Sequence, residues 1–297
     1  QIEIEDNEYL KTLKYEDKNL YVSLNVCFDS LTKIEKKILI NTSVFSGGDF
    51  SVESISFVSN IKLEQTQKVL YGLHDSSLVE YSSDQRFRIH PLIKLFLIEK
   101  ITDADIYRRE IDYYIYFLAT KNKHNRIYYG SLRKEVENMY GAFNKAFELN
   151  YWYGIKCLFP FFSMYLWDSG RWNELKAIGK LTEKLAKEMN DRVIQIECNV
   201  RETSWIYDML GDPSKSVRMN ECGLKLAKKI NDKYYIALAE LSVGKMYQAT
   251  GFLQKSLLIH MSAMKFFQKN GISNFLAQTM RYLGETYLLL GDFNKGK

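Results

Sequence analysis

Apolar side chains recur along this chain at helical spacing, and the stripes they form come in three styles. In the first hundred residues the stripes are short: Leu20, Leu24 and Phe28 with Val22 and Val26 nearby, then Ile34, Ile38 and Leu39, then Ile55 and Val58, then Val69, Leu70 and Leu73. Terminal signals frame each one. The first helix ends near Asp29-Ser30, and Thr32 followed by Glu35 is a capping box for the next. Phe45-Ser-Gly-Gly-Asp-Phe50 breaks the chain, Ser51 caps a third helix, and a fourth runs from about Leu63 to His74. The period then falls to two. Ser77–Tyr81 and Arg86–His90 read as the arms of a hairpin across Ser82-Ser83-Asp84-Gln85. Pro91 opens a last helix at its first turn, where a missing N–H costs nothing, and Leu92, Ile93, Leu95, Phe96 and Ile98 make that helix apolar. Helices, a hairpin and one more helix describe a winged-helix domain over residues 20–101, preceded at 1–19 by a polar tail or the end of a preceding domain.

The second style is longer. Ile106, Ile111, Tyr114, Ile115 and Leu118 share one face, and Leu132, Val136, Met139, Tyr140, Phe143, Ala146 and Phe147 share another. Residues 102–150 are therefore expected to be connecting helices. A third stripe, Ile155, Leu158, Phe159, Phe162, Tyr165 and Leu166, begins the region 151–297, with Phe161 and Trp167 the aromatics left over to face a groove.

That last region is periodic. Gly170, Gly211, Gly251 and Gly291 stand 41, 40 and 40 residues apart. Tyr207, Tyr247 and Tyr287 each precede their glycine by four positions, with Leu166 in the first slot. Seven before each glycine the residue is small: Ser163, Ser204, Gly244 and Gly284. Thr182, Gly223 and Ala263, each twelve after a glycine, are the matching small positions on the following helix. Asn190-Asp191, Asn231-Asp232 and Asn270-Gly271 supply a second set of breaks midway. Glycine and asparagine are what helix C-termini use, so each unit reads as two helices with one turn between them and one after. A repeat of this length implies a stack of helix pairs, each too small to bury its apolar face alone, leaving a curved groove suited to proteins or peptides. The fold class is thus mainly α: a winged helix followed by an α-α superhelix of stacked helix pairs.

Composition changes this picture little. The chain has 297 residues, 46% hydrophobic and 26% charged, with a net charge of +5. That charge is too mild and dispersed to argue for nucleic acid. Cys27, Cys157, Cys198 and Cys222 form no CxxC pair and the four histidines are scattered, so no metal site is legible; the cysteines read as buried reduced thiols of a cytoplasmic protein. No signal peptide is visible, and Cys157–Trp167 is too short an apolar run to cross a membrane. The chain starts at Gln1 and stops within a repeat, so it reads as an internal piece of a larger protein, truncated in its last unit.

The order "SLNVCFDSLTKIEKKILINTSVFSGGDFSVESI", "LYGLHDSSLVEY", "RFRIHPLIKLFL" resembles the winged-helix segment of STAND-type NTPases, the group that includes apoptosome ATPases and other proteins with NB-ARC modules. "LRKEVENMYGAFNKAFEL" resembles the connecting helix before the tetratricopeptide array in bacterial members, and the repeats resemble such units of the forty-residue kind. The resemblance runs from about Leu20 to the end. It implies a regulatory and scaffold segment: the array senses a protein or peptide ligand, the winged helix packs on the protein's own nucleotide-binding module, which these residues do not contain, and release permits oligomerisation. It implies ATP or ADP in the parent protein and no cofactor in this segment.

One residue carries the nucleotide link. A histidine just after the wing touches the phosphates of bound ADP in that family, and His90 stands there, although the Asp expected next is Pro91. The bland reading is a structural histidine at a strand end. A DNA-binding transcription regulator with a winged helix and a repeat-type sensor is the rival function. Its groove-reading segment would be Leu63–His74, which holds one lysine and one glutamate, with Arg86 and Arg88 on the wing. Phosphate neutralisation takes more cations than that. Gly291-Asp-Phe-Asn-Lys-Gly296-Lys297 spells GxxxxGK, but a P-loop needs a preceding strand, and Gly284, Tyr287 and Gly291 fall in repeat register. The lysines at 176, 180, 184 and 187, and at 225, 228, 229 and 233, read as solvated helix faces or a basic groove. No constellation of catalytic groups stands out, so the segment is not read as an enzyme.

Overall fold

The computed structural model describes residues 18–82, 86–121, 127–202, 204–209 and 211–294, and is mainly helical with one small sheet. The expected tail at 1–19 lies almost wholly outside the described residues. Contacts divide the chain into two compact units, Gln1–Leu158 and Phe159–Lys297.

The first unit opens with α1 (Lys18–Ser30), α2 (Lys33–Thr42), β1 (Asp49–Phe50), α3 (Val52–Ser59) and α4 (Leu63–Asp75). Thr32 and Glu35 form the expected capping box on α2, and Ser51 accepts the Ser54 N–H at the start of α3. After β2 (Glu80–Tyr81) and β3 (Phe87–Arg88), α5 (Pro91–Ile98) begins at its proline, and α6 (Asp105–Lys121) and α7 (Ile127–Glu148) follow. Helix α2 packs on α3, α4 and α5; α3 packs on α6, and α6 on α7.

The hairpin pairs as expected, antiparallel with Tyr81 opposite Phe87, but each strand is only two residues long. A third strand was not expected. β1 lies within the stretch read as a break and pairs on the other side of β3, giving the order β1-β3-β2. Two residues carry no period, so pattern could not reveal it. What holds β1 is packing: Phe50 and Phe87 are opposed across the ladder with ring planes 12° apart and centroids 6.4 Å apart, and both are buried with Phe45 and Tyr114.

Helix α8 (Trp152–Asp168) crosses the division between the units. The second unit continues with α9 (Trp172–Glu188), α10 (Arg192–Glu197), a π-helical segment (Cys198–Glu202), α11 (Ser204–Met209), α12 (Pro213–Ile230), α13 (Lys233–Ala249), α14 (Leu253–Lys269) and α15 (Ser273–Leu289). From α12 onward each helix packs on the next. The turns are left-handed at Gly170, Asn190, Gly211, Asn231, Gly251, Gly271 and Gly291, with φ between 53° and 81°. Only glycine and asparagine enter this region cheaply, which is why the sequence beats time with them.

Among the small positions, Gly244, Gly223, Thr182 and Ala263 act as expected. A Cβ on Gly244 would lie 2.4 Å from His260 Nε2, so α13 and α14 meet there in contact. Gly223 is equally tight, its Cβ position 2.3 Å from Val200. Thr182 and Ala263 are fully buried. Leu288 and Leu289 end a helix and Leu290 caps it, so no strand leads into Gly291, and the P-loop reading fails. Lys297 lies outside the described residues. Of the four cysteines only Cys198 is buried; Cys157 is half-buried and Cys27 and Cys222 are exposed, against the expectation.

Candidate functional site

A dense polar arrangement in the first unit centres on Arg86, which leads into β3. Its Nε donates to Asp49 Oδ2 at 2.7 Å and its Nη1 to Glu135 Oε1. The Tyr114 hydroxyl donates to the other Glu135 oxygen at 3.0 Å. Only 9% of the Arg86 side chain and 5% of that of Glu135 reach solvent. Burial alone would pull the guanidinium pKa down; the bonds to Glu135 and Asp49 outweigh it and push the pKa up. Burial first, and the Glu135 charge second, raise Tyr114 well above the usual phenol range. Arg86 Nη2 has no hydrogen-bond partner among the described residues.

Helix α7 is tied to the same place one turn later. Asn138 accepts from the Gly47 N–H and donates to the Asp49 carbonyl, both at 2.7 Å. Lys94 on α5 donates to the carbonyl of Phe45 at 2.8 Å, so α5 and α7 both hold that turn. A Cβ on Gly141 would come 1.7 Å from Ser46 Oγ, so α7 lies flush on that turn.

Two clefts of about 390 Å³ each flank Arg86 and share Ser51, Glu53 and Lys134 with it. Tyr113, Tyr116 and Phe117 wall one; Tyr71, Tyr81 and Phe87 wall the other. With aromatic walls and a few charged groups at the waist, either can receive a flat or apolar group bearing a hydrogen-bond acceptor. Among the described residues no cluster of His, Cys, Asp and Glu is placed to hold a metal ion.

His90 lies apart from this cluster, exposed at the N-cap of α5. Its Nδ1 accepts the Leu92 N–H at 3.2 Å. In the neutral ring that fixes the proton on Nε2, which can donate to an anion. Of the two wing arginines, Arg86 is committed to carboxylates while Arg88 is exposed.

Sequence reasoning took Arg86 only as a possible phosphate contact and passed over Glu135 and Asn138. The signal was there: both interrupt the apolar face Leu132, Val136, Met139 with polar groups three residues apart. In the second unit it passed over His260, which is fully buried between α13 and α15. Its Nε2 lies 3.2 Å from the Leu241 carbonyl and its Nδ1 3.3 Å from Ser256 Oγ, and its ring stacks on Tyr282. Burial is the main cause that depresses its pKa to about 4. The candidate groove aromatics Phe161 and Trp167 are half-buried, and Lys180, Lys184, Lys187, Lys225, Lys228, Lys229 and Lys233 are exposed.

No family model matches the chain, and no curated protein matches it. Among solved structures it is similar to a Signal Transduction ATPase with Numerous Domains (STAND) protein with a tetratricopeptide repeat sensor from Pyrococcus horikoshii, at 15% identity and a TM-score of 0.40 over 94% of this chain. The chain spans 51% of that protein's length. It is also similar to BtubC (BKLC) from P. vanneervenii, at 15% identity and a TM-score of 0.47, covering 90% of this chain and 87% of that one. At these values neither likeness assigns a family or an activity.

Proposed function

We propose that this chain is a regulatory and scaffold segment of a STAND-type signalling ATPase. The second unit is a tetratricopeptide-like sensor whose groove takes a protein or peptide. In the first unit, the helices around the three-stranded sheet form a winged helix that packs on the nucleotide-binding module of the longer protein. The segment itself performs no chemistry; ATP or ADP belongs to the module, in the cytoplasm, and oligomerisation follows its release. The observation that carries this reading is the beat of left-handed turns every 20 or 21 residues, with each helix from α12 onward packed on the next, the construction that builds binding surfaces by repetition. His90 then presents Nε2–H to an ADP phosphate and helps to hold the resting state.

The test uses the full-length protein loaded with fluorescent ADP. Both His90→Ala and removal of residues 159–294 are expected to speed ADP release, the first by weakening the grip and the second by removing the sensor. Unchanged release in both sinks the proposal. The DNA-binding alternative is separated by a gel shift with random duplex: tight binding that collapses with added salt is its signature. With Arg86 already bound to two carboxylates, no such binding is expected.

A further inference from the structure

The left-handed turns of the second unit keep an interval of 20 residues, with one exception. From Gly170 to Asn190, Gly211 to Asn231, Asn231 to Gly251, Gly251 to Gly271 and Gly271 to Gly291 the step is 20; from Asn190 to Gly211 it is 21. Within that interval the described residues leave α-helical geometry for a π turn at Cys198–Glu202, and the extra residue falls there. A π turn is how a helix stores one residue too many.

Matching this helix to α13 from both ends identifies the surplus. Counting forward from Asn190 and Asn231 sets Cys198 on Ala239, Asn199 on Glu240 and Val200 on Leu241; counting back from Gly211 and Gly251 sets Tyr207 on Tyr247, Ser204 on Gly244 and Glu202 on Ser242. Arg201 is left without a counterpart. Burial agrees, because Cys198, Ala239 and Val200 are 0% exposed and Leu241 is 1% exposed.

The neighbouring helix carries the matching adaptation. Gly223 faces Val200 so closely that a Cβ would come within 2.3 Å of Val200 Cγ2. Ala263, its counterpart one unit on, packs in one cluster with Leu241, the counterpart of Val200. Where the helix is regular an alanine fits; where it bulges only glycine does. The fit is also incomplete. Thr182 on α9 and Asn220 on α12, both on helices packed against the π segment, each bury an oxygen with no hydrogen-bond partner among the described residues. Such groups weaken packing locally.

We propose that Cys198–Glu202 is a built-in joint of the stack: Arg201 is an inserted residue held as a π turn by the room Gly223 leaves, and this stretch opens first. Segments that move in regulated proteins come from the least stable part of the fold. In a stack whose units touch only their neighbours, a weak link in the middle lets the flanking helix pairs shift as blocks.

The test is native-state hydrogen exchange and thermal unfolding of the chain as it stands. Amides of 194–207 should exchange at least roughly tenfold faster than those of the matched positions in α13. Deleting Arg201 should bring their protection to the α13 level without lowering the Tm. Gly223→Ala should lower the Tm of the parent chain and leave that of the Arg201 deletion unchanged. Deletion of Glu240, the matched position in a regular helix, is the control and should be severely destabilising. If deletion of Arg201 costs as much as deletion of Glu240, or if 194–207 is as protected as α13 from the outset, the joint does not exist.

Discussion

The two units are held together in opposite ways. In the first, polar ties reach far along the chain: Arg86 to Glu135 spans 49 residues, Gly47 to Asn138 spans 91 and Asn138 to Asp49 spans 89. In the second they stay near home: His260 to Leu241, Asn220 to Met246 and Ser256 to Thr286 span 19, 26 and 30. Long ties make a unit that stands or falls together. Short ones make a stack whose stability adds up unit by unit.

The sharpest way to break this contrast is at Arg86. Arg86→Ala strips the buried Glu135 of its cation, and breaking a buried pair from one side costs about 3–5 kcal/mol. Thermal unfolding should show the whole first unit destabilised, including α1, which packs on α5. A loss confined to the sheet would undo the claim of cooperativity.

Acidity separates the units next, with opposite signs. His260 has its pKa lowered by burial, against the opposing pull of the Leu241 carbonyl and Glu285. Its contribution is present above about pH 6.5 and is lost as pH falls toward 4, a swing of roughly 3 kcal/mol. His260→Gln should flatten the acid limb of the second unit. Glu110 does the reverse in the first. It is fully buried with one oxygen unpartnered among the described residues, and burial raises its pKa, opposed by Lys94 and Lys145. Its contribution is complete below pH 4.5 and declines as pH rises through the elevated value. Glu110→Gln should remove that decline, as read by Tm against pH.

A smaller effect tests the local character of the stack. Gly244→Leu forces α13 from α14 and should cost about 1–3 kcal/mol. Exchange should quicken in those two helices and their neighbours while α9 keeps its protection. The smallest is a helix start: Thr32→Ala removes a cap whose hydroxyl the Glu35 N–H meets at 3.4 Å, for a loss of about 1 kcal/mol.

The same contrast decides what the sequence could reveal. Caps at Thr32 and Ser51 and turns at Gly211 or Asn231 involve residues three or four apart, and all were readable. The pairing of β1 with β3 and the bonds of Arg86, Glu135 and Asn138 were not, because each partner lies decades of residues away and no spacing announces it. His260 was hidden for another reason. Ser256, His260, Ala263 and Phe267 lie on one buried face, and a lone histidine there looks like any packed side chain. The glycine opposite, Gly244, was noticed for its place in the repeat, yet its need comes from the imidazole it faces.

Turning points set at equal contour length have an evolutionary corollary. A forty-residue block taken between any two like-placed bends brings its own reversals and its own inward faces, so it can be duplicated or excised without rephasing what remains. Reach can therefore be tuned by counting blocks. The piece containing Arg201 is the exception: copied, it would carry its surplus residue and its glycine together, or else misfit its new neighbour.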